Sequence, residues 1–268
     1  MKIAAVQFLA TGSTKDNMQA CLERIRTAAE NGARLVVLPE AASQAFGTGR
    51  LDTQAENLEG SYASALRAEA TRLGVTVVAG TFRPADTIER DGKTINRVYN
   101  TALITGPDLH TGYDKIHTYD AFSYRESDTV KPGTQLCTFD VDGVTIGVAT
   151  CYDIRFPEQF RELARAGAKV IVVPFSWADG PGKLEQWRLL SAARALDSTS
   201  YLVAAGQARP GGQEQAGQDS GPTGIGHSVI VSPTGVRLAE AGYDEEIIYA
   251  DLDIERVAAV RKQLPVLG

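Results

Sequence analysis

Three side chains could do chemistry together in this sequence: a thiol and a carboxylate that each follow an apolar, strand-like run, and an ammonium group that follows a strand-and-turn unit. Cys151 closes the run VTIGVAT and opens the polar stretch CYDIRFPE. A core cysteine is covered by apolar sequence on both sides, whereas Cys151 stands where a strand stops and a turn begins, facing a cleft. A helical segment, FPEQFRELARAG, comes next, with Pro157 where a first helical turn tolerates it. A thiol near a helix start gains from free backbone N–H groups, which lower its pKa and can hold an oxyanion. Cys21, on the apolar face of a helix, and Cys137, on a strand face with Phe139 and Val141, read instead as small core hydrophobes.

A cysteine nucleophile needs a base, an oxyanion stabiliser and a proton donor for the leaving group. His117 and His227 come with no evident orienting acid. Glu40 ends LVVLPE, so its carboxylate should emerge at a strand end beside the core. Lys115 in HTGYDKIH follows a strand-and-turn unit, and Glu126 lies in the polar loop YRESDTVKPG. Taken singly, both read as surface charges. Arg155, between Ile154 and Phe156, reads as a partly buried cation. It either binds a substrate carboxylate or braces the turn through Asp153 or Glu158; Lys183 and Arg125 are weaker candidates for carboxylate binding.

The elements that must position these groups alternate between strand and helix. Strand-like runs are IAAVQF, ARLVVLP, VTVVAGTF, NTALITG, TIGVAT, AKVIVVPF, YLVAAGQ, HSVIVSP and IIYADLD; residues 15–31, 61–73, 157–167 and 183–198 show helical spacing. Continuous Val/Ile runs predict strands covered on both faces. The chain also repeats weakly: KIAAVQF matches TIGVATC, AENGARLVVLPE matches ARAGAKVIVVPF, VTVVAGT matches YLVAAGQ, and NTALITGPDLHTG matches HSVIVSPTGVRLA. Two such halves predict an α/β fold, a four-layer α-β-β-α sandwich of two mixed sheets with helices outside, forming one inseparable domain over 1–268. Within the repeat, Phe8 stands where the other half has Cys151, and Phe175 where it has Glu40. Residues 209–226, rich in Gly, Gln and Pro, read as a mobile surface loop, either a plain flexible connection, the favoured reading, or a lid.

Taken together, LVVLPE, YDKIH and CYDIRFPE resemble the glutamate, lysine and cysteine motifs of the nitrilase superfamily of carbon–nitrogen hydrolases, in the same order and spacing. The resemblance runs from AAVQF to RKQLPV, and the Cys-Tyr-Asp-x-Arg-Phe-Pro-Glu form is most similar to the omega-amidase and deaminated-glutathione-amidase branch. It implies a Glu40–Lys115–Cys151 triad, with Glu126 as a second pocket glutamate. It implies an oxyanion held by Lys115 and the Tyr152 N–H, a thioester on Cys151, no cofactor, and a homodimer or larger assembly built through the helices after the nucleophile. The expected activity is hydrolysis of a small carboxylate-bearing amide to acid and ammonia. Hydrolysis of an N-carbamoyl group or a nitrile on the same site, or a catalytically silent scaffold, are the alternatives.

Bulk properties exclude other classes. The chain has 268 residues, 43% of them hydrophobic, and a net charge of -6, which provides no basic footprint for nucleic acid or anionic membrane. No apolar stretch approaches the ~20 residues that cross a bilayer. Its opening KIAAVQF lacks the features of a signal peptide, so a cytoplasmic location is expected. Three scattered cysteines and three scattered histidines predict neither a disulfide framework nor a metal site.

Overall fold

Apolar residues on both faces of consecutive strands require cover on both sides, and the chain supplies it by stacking two sheets and placing helices outside. The structure, a computed structural model, describes residues 1–121 and 124–268. The first part comprises β1 (Lys2–Gln7), α1 (Thr14–Glu30), β2 (Leu35–Val37), α2 (Ser61–Leu73), β3 (Thr76–Arg90), β4 (Lys93–Gly106) and β5 (Leu109–Asp114). A small pair, β6 (Asp120–Ala121) and β7 (Tyr124–Arg125), precedes β8 (Cys137–Val141) and β9 (Val144–Val148). The chain continues with α3 (Pro157–Arg165), β10 (Val170–Phe175), α4 (Lys183–Ser198), β11 (Tyr201–Gly206), β12 (Val229–Val231), β13 (Arg237–Glu240), β14 (Glu246–Asp251) and α5 (Glu255–Gln263).

The two large sheets have the orders β14-β1-β2-β3-β4-β5 and β13-β12-β11-β10-β9-β8. In each, three parallel strands form the centre and antiparallel strands flank them. The unit β1-α1-β2-α2-β3-β4-β5 is thus repeated by β9-α3-β10-α4-β11-β12-β13, and the sequence matches fall on corresponding strands. Side chains alternate as the pleat requires. Ile3, Leu35, Val37 and Ile104 meet Ile146, Val170, Val172 and Val203 between the sheets. The opposite faces pack Val6, Val36 and Val77 on Leu22, Ile25 and Leu66, and Ile171, Val173 and Leu202 on Phe160, Leu163 and Trp187. This is the expected α-β-β-α sandwich, each fully buried Val, Ile or Leu contributing ~1.5–3 kcal/mol.

Two elements differ from the sequence reading. Strands β3 and β4 run on past Phe82 and begin before Asn100, forming a long hairpin whose turn is Asp91-Gly92, both at positive φ. Asp-Gly is a strong signal for a two-residue turn, but the charged arms around it disguise the strands. The cysteine also does not begin α3 directly: a five-residue 3₁₀ turn, Cys151–Arg155, intervenes.

Candidate active site

Glu40 and Cys151 stand just beyond the ends of the parallel strands β2 and β9, where open α/β sheets place ligands. Lys115 is the first residue after β5. Each backbone is tied down. The Glu40 turn packs on β3 through Leu38 N–H to Val78 O (2.7 Å) and Gly80 N–H to Pro39 O (2.9 Å). A Cβ at Gly80 would lie 2.4 Å from the Ala41 nitrogen, so only glycine lets the turn approach. From the other half, Gln207 Nε2 donates to Glu40 O at 2.9 Å. Lys115 N–H donates to Asn100 O at 2.9 Å.

These three side chains and Glu126 meet in one buried cluster: Glu40, Lys115 and Glu126 are at most 3% exposed, and Cys151 is 8% exposed. Lys115 Nζ lies 3.1 Å from Glu40 Oε1 and 2.9 Å from Glu126 Oε2. Asn100 Nδ2 donates to Glu40 Oε1 (2.8 Å) and Glu126 Oε1 (3.1 Å). The Tyr119 N–H donates to Glu126 Oε2 at 2.6 Å. Burial disfavours the Lys115 ammonium, but Glu126 and Glu40 outweigh it and hold the amine protonated, well above its ordinary pKa.

The thiol corrects one expectation. Its pKa is pushed well above the ordinary value, first by burial and then by the Glu40 charge, against the opposing pull of Lys115 and the Ser176 N–H. A single 3₁₀ turn in a buried, acid-containing site does not overcome those two influences. Cys151 therefore rests as a thiol, and any nucleophilic role for it would require a base. Its φ of +45° lies in the left-handed region, a strained conformation for a side-chain-bearing residue.

Asp153 holds this turn. Its Oδ2 accepts from Tyr113 Oη (2.6 Å) and Thr150 N–H (2.8 Å), and its Oδ1 lies 3.0 Å from His117 N and 2.8 Å from His117 Nδ1. One buried carboxylate thus links the Cys151 turn to the segment bearing Lys115. The two histidines considered above prove to have acid partners, His117 with Asp153 and His227 with Glu240 (3.0 Å), which corrects the sequence reading. Neither lines the cavity with Cys151.

That cavity, about 280 Å³, is lined by the Glu40–Lys115–Glu126–Cys151 cluster, by the aromatics Phe46, Tyr119, Tyr152 and Trp177, and by Arg155 and Lys183. Arg155 bonds neither Asp153 nor Glu158. Its Nη2 donates to Gln186 Oε1 (3.0 Å) and its guanidinium lies 4.8 Å from the Trp177 ring centroid. Arg125 is not brought to the cavity; it pairs with Asp128 at 3.5 Å on the surface. The Tyr152 N–H, at the start of the 3₁₀ turn, has no partner among the described residues.

The chain is also similar to known proteins. Residues 2–262 fit the family model described as carbon-nitrogen hydrolase. The chain belongs to that family. It is 38% identical to a deaminated glutathione amidase of Escherichia coli O157:H7, over 100% of this chain and 96% of the relative. It is 33% identical to an omega-amidase of Xenopus laevis, over 99% and 93%. A nitrilase-superfamily structure from Saccharomyces cerevisiae superposes with a TM-score of 0.83 at 30% identity, covering 100% of this chain and 95% of the other. The protein is a carbon–nitrogen hydrolase.

Several residues of this hydrolase's site escape a reading of motifs. Ser176 and Gln207 follow strand ends, Asn100 lies within β4 and Asp153 within the 3₁₀ turn, and the roles of all four depend on partners distant in sequence. Asp153 stands inside CYDIRFPE, yet its function shows only once His117 and Tyr113 are placed beside it. The 209–226 loop is not a plain connection: Ser220, Gly221 and Pro222 form part of the cavity wall. It is pinned by Ser176 Oγ to Pro222 O (2.7 Å) and by the buried Arg209–Asp179 pair (3.1 Å). Among the described residues, no helix is long and apolar enough to cross a membrane and no group of three or more acids, histidines or cysteines is placed to hold a metal.

Proposed function

We propose that this hydrolase cleaves a small amide bearing a free carboxylate, releasing ammonia through a thioester on Cys151. The observation that carries the reading is the buried Lys115 ammonium between two carboxylates, beside a protonated thiol, in a cavity also lined by Arg155. As Sγ attacks the carbonyl carbon, Glu40 takes the thiol proton and the carbonyl electron pair becomes an oxyanion. Lys115 and the Tyr152 N–H stabilise it. Collapse breaks the C–N bond, the nitrogen takes the proton from Glu40 and leaves as ammonia, and the acyl group remains on sulfur. Glu40 then removes a proton from water as the water attacks the thioester. The second collapse returns that proton to sulfur and frees the acid. Glu126 keeps Lys115 charged and in place throughout.

Arg155 is the proposed carboxylate partner, with Lys183 beside it; burial on Trp177 strengthens a charge-assisted contact. The test compares ammonia release from succinamic acid with that from the neutral diamide of equal length. The acid should win by roughly ten- to a hundredfold in kcat/KM, since such a contact is worth ~1.5–3 kcal/mol. Equal rates would overturn carboxylate recognition. A homodimer is part of the proposal, and exposed Leu189 and Leu196 on α4 support a contact through the helices that follow the nucleophile.

A further inference from the structure

Asn100 touches three parts of the catalytic cluster, and its own chemistry is only half satisfied. Its carbonyl accepts the Lys115 N–H at 2.9 Å, fixing the start of the lysine's segment. Its side-chain amide donates to Glu40 Oε1 and Glu126 Oε1. The amide oxygen, Oδ1, is buried without a partner among the described residues. An orphaned buried acceptor is destabilising, so the residue is poorly explained as a structural brace. Turning the amide over would aim that oxygen at two carboxylates, which the electrostatics forbid. The pattern on Glu40 is equally one-sided. Oε1 receives both Asn100 and Lys115, while Oε2 has no hydrogen-bond partner among the described residues.

We infer that Asn100 is a positioning residue that selects the basic atom of the site: by occupying Glu40 Oε1 it leaves Oε2 as the acceptor for the Cys151 proton. This rests on Glu40 being the base. The charged and titratable groups facing Glu40 are Lys115, Glu126 and the Cys151 thiol; with Glu40 itself the cluster holds two anions and one cation when both acids are ionised. Lys115 alone cannot fully compensate two buried carboxylates. The Asn100 amide adds a donor to each acid without adding a charge, and so favours the ionised form that accepts a proton. An aspartate here would place a third acid in the cluster, and an alanine would leave both Oε1 atoms short of a donor.

The test follows alkylation of Cys151 by iodoacetamide across pH, read as mass on the Cys151 peptide, which needs no knowledge of the natural substrate. Asn100→Leu removes the donor at similar volume, and Asn100→Asp keeps the shape but reverses the polarity; circular dichroism checks that each is folded. Donor loss disfavours an ionised carboxylate, so the acid limb of the profile should move to higher pH by about one to two units in either folded variant. Asn100→Asp should shift it further than Asn100→Leu. A limb superimposable on wild type, or a uniform slowing at every pH, would overturn the inference. Glu40→Gln is the companion measurement: an alkylation profile identical to wild type in that variant would remove Glu40 as base, a failure separable from that of Asn100. Should neither variant fold, Asn100→Ser, a shorter donor, should keep the wild-type limb while Asn100→Ala shifts it; equal limbs in these two would also overturn it.

Discussion

At the scale of single residues, burial makes the reactivity of Cys151 conditional on its neighbours. The thiol holds its proton because it is buried and because Glu40 is beside it. In Glu40→Gln the second of those influences disappears while Lys115 remains. Loss of a neighbouring negative charge favours the thiolate, so the thiol should titrate at lower pH than in wild type even though hydrolysis is lost. Thiolate absorbance against pH, corrected with Glu40→Gln/Cys151→Ala, checks this; a titration unchanged or moved upward would contradict it. Lys115→Arg should lose roughly a hundredfold or more in kcat, because a planar guanidinium cannot present a compact charge to the oxyanion. Retention of most of the wild-type rate would reassign Lys115 to a distant electrostatic role. Cys21 is the contrasting case. It is fully buried against Tyr62 (3.5 Å) and its thiol is pushed up to about 12 by burial. Cys21→Ala should cost at most ~3 kcal/mol of stability as a small core truncation and leave turnover unchanged.

At the scale of elements, strand ends and close approaches decide where the groups stand. Gly80→Ala would drive a Cβ into the Glu40–Ala41 backbone, at 2.4 Å from the Ala41 nitrogen. It should cost ~1–3 kcal/mol by overpacking and also depress kcat. Gly206→Ala is its counterpart in the other half, where the Cβ meets the Phe175 ring; it should cost comparable stability and less activity. Melting curves with kcat for both variants separate the two effects, and equal activity losses would deny the turn its positioning role. Helices α1 and α2 are clipped by Glu69, held to about 2 by its hydrogen bond to Arg72 and by Arg26. A carboxyl depressed on folding contributes stability that is present above its unfolded value and is lost as pH falls toward 2. The Tm difference between wild type and Glu69→Gln should therefore vanish in acid, and it should stay small at neutral pH because solvent screens the exposed arginines.

The elements also show what a sequence can and cannot disclose. Glu40 and Cys151 were legible because each interrupts an apolar run at the point where a strand must end. Lys115 and Glu126 carry no such mark, and their motifs gain meaning only from resemblance to a family. Asn100 and Asp153 were illegible for a geometric reason. Their partners lie as far as 60 and 40 residues away, and only the sheet register brings them into reach. The charged arms of the β3–β4 hairpin hid strands that their Asp-Gly turn could have revealed.

At the scale of the whole molecule, the repeated half-unit explains both the stability and the asymmetry of the site. Sheets that bury each other's inner faces provide a common frame, and that frame does not dictate chemistry: where one half has Cys151 the other has Phe8, buried, and where one has Glu40 the other has Phe175, stacked on Trp187 at 3.9 Å. The wall formed by residues 220–222 depends on the buried Arg209–Asp179 pair. Removing one partner of a buried pair typically costs ~3–5 kcal/mol, so Arg209→Met should loosen that wall and raise KM more than it lowers kcat. The central claim is that all turnover passes through one covalent intermediate at Cys151. Its most direct test is rapid acid quench of the protein with succinamic acid, followed by mass mapping. The account predicts a transient adduct equal to the substrate less ammonia, confined to the Cys151 peptide, and neither adduct nor ammonia from a folded Cys151→Ala variant. An adduct on another residue, or ammonia released by Cys151→Ala at the wild-type rate, would contradict it.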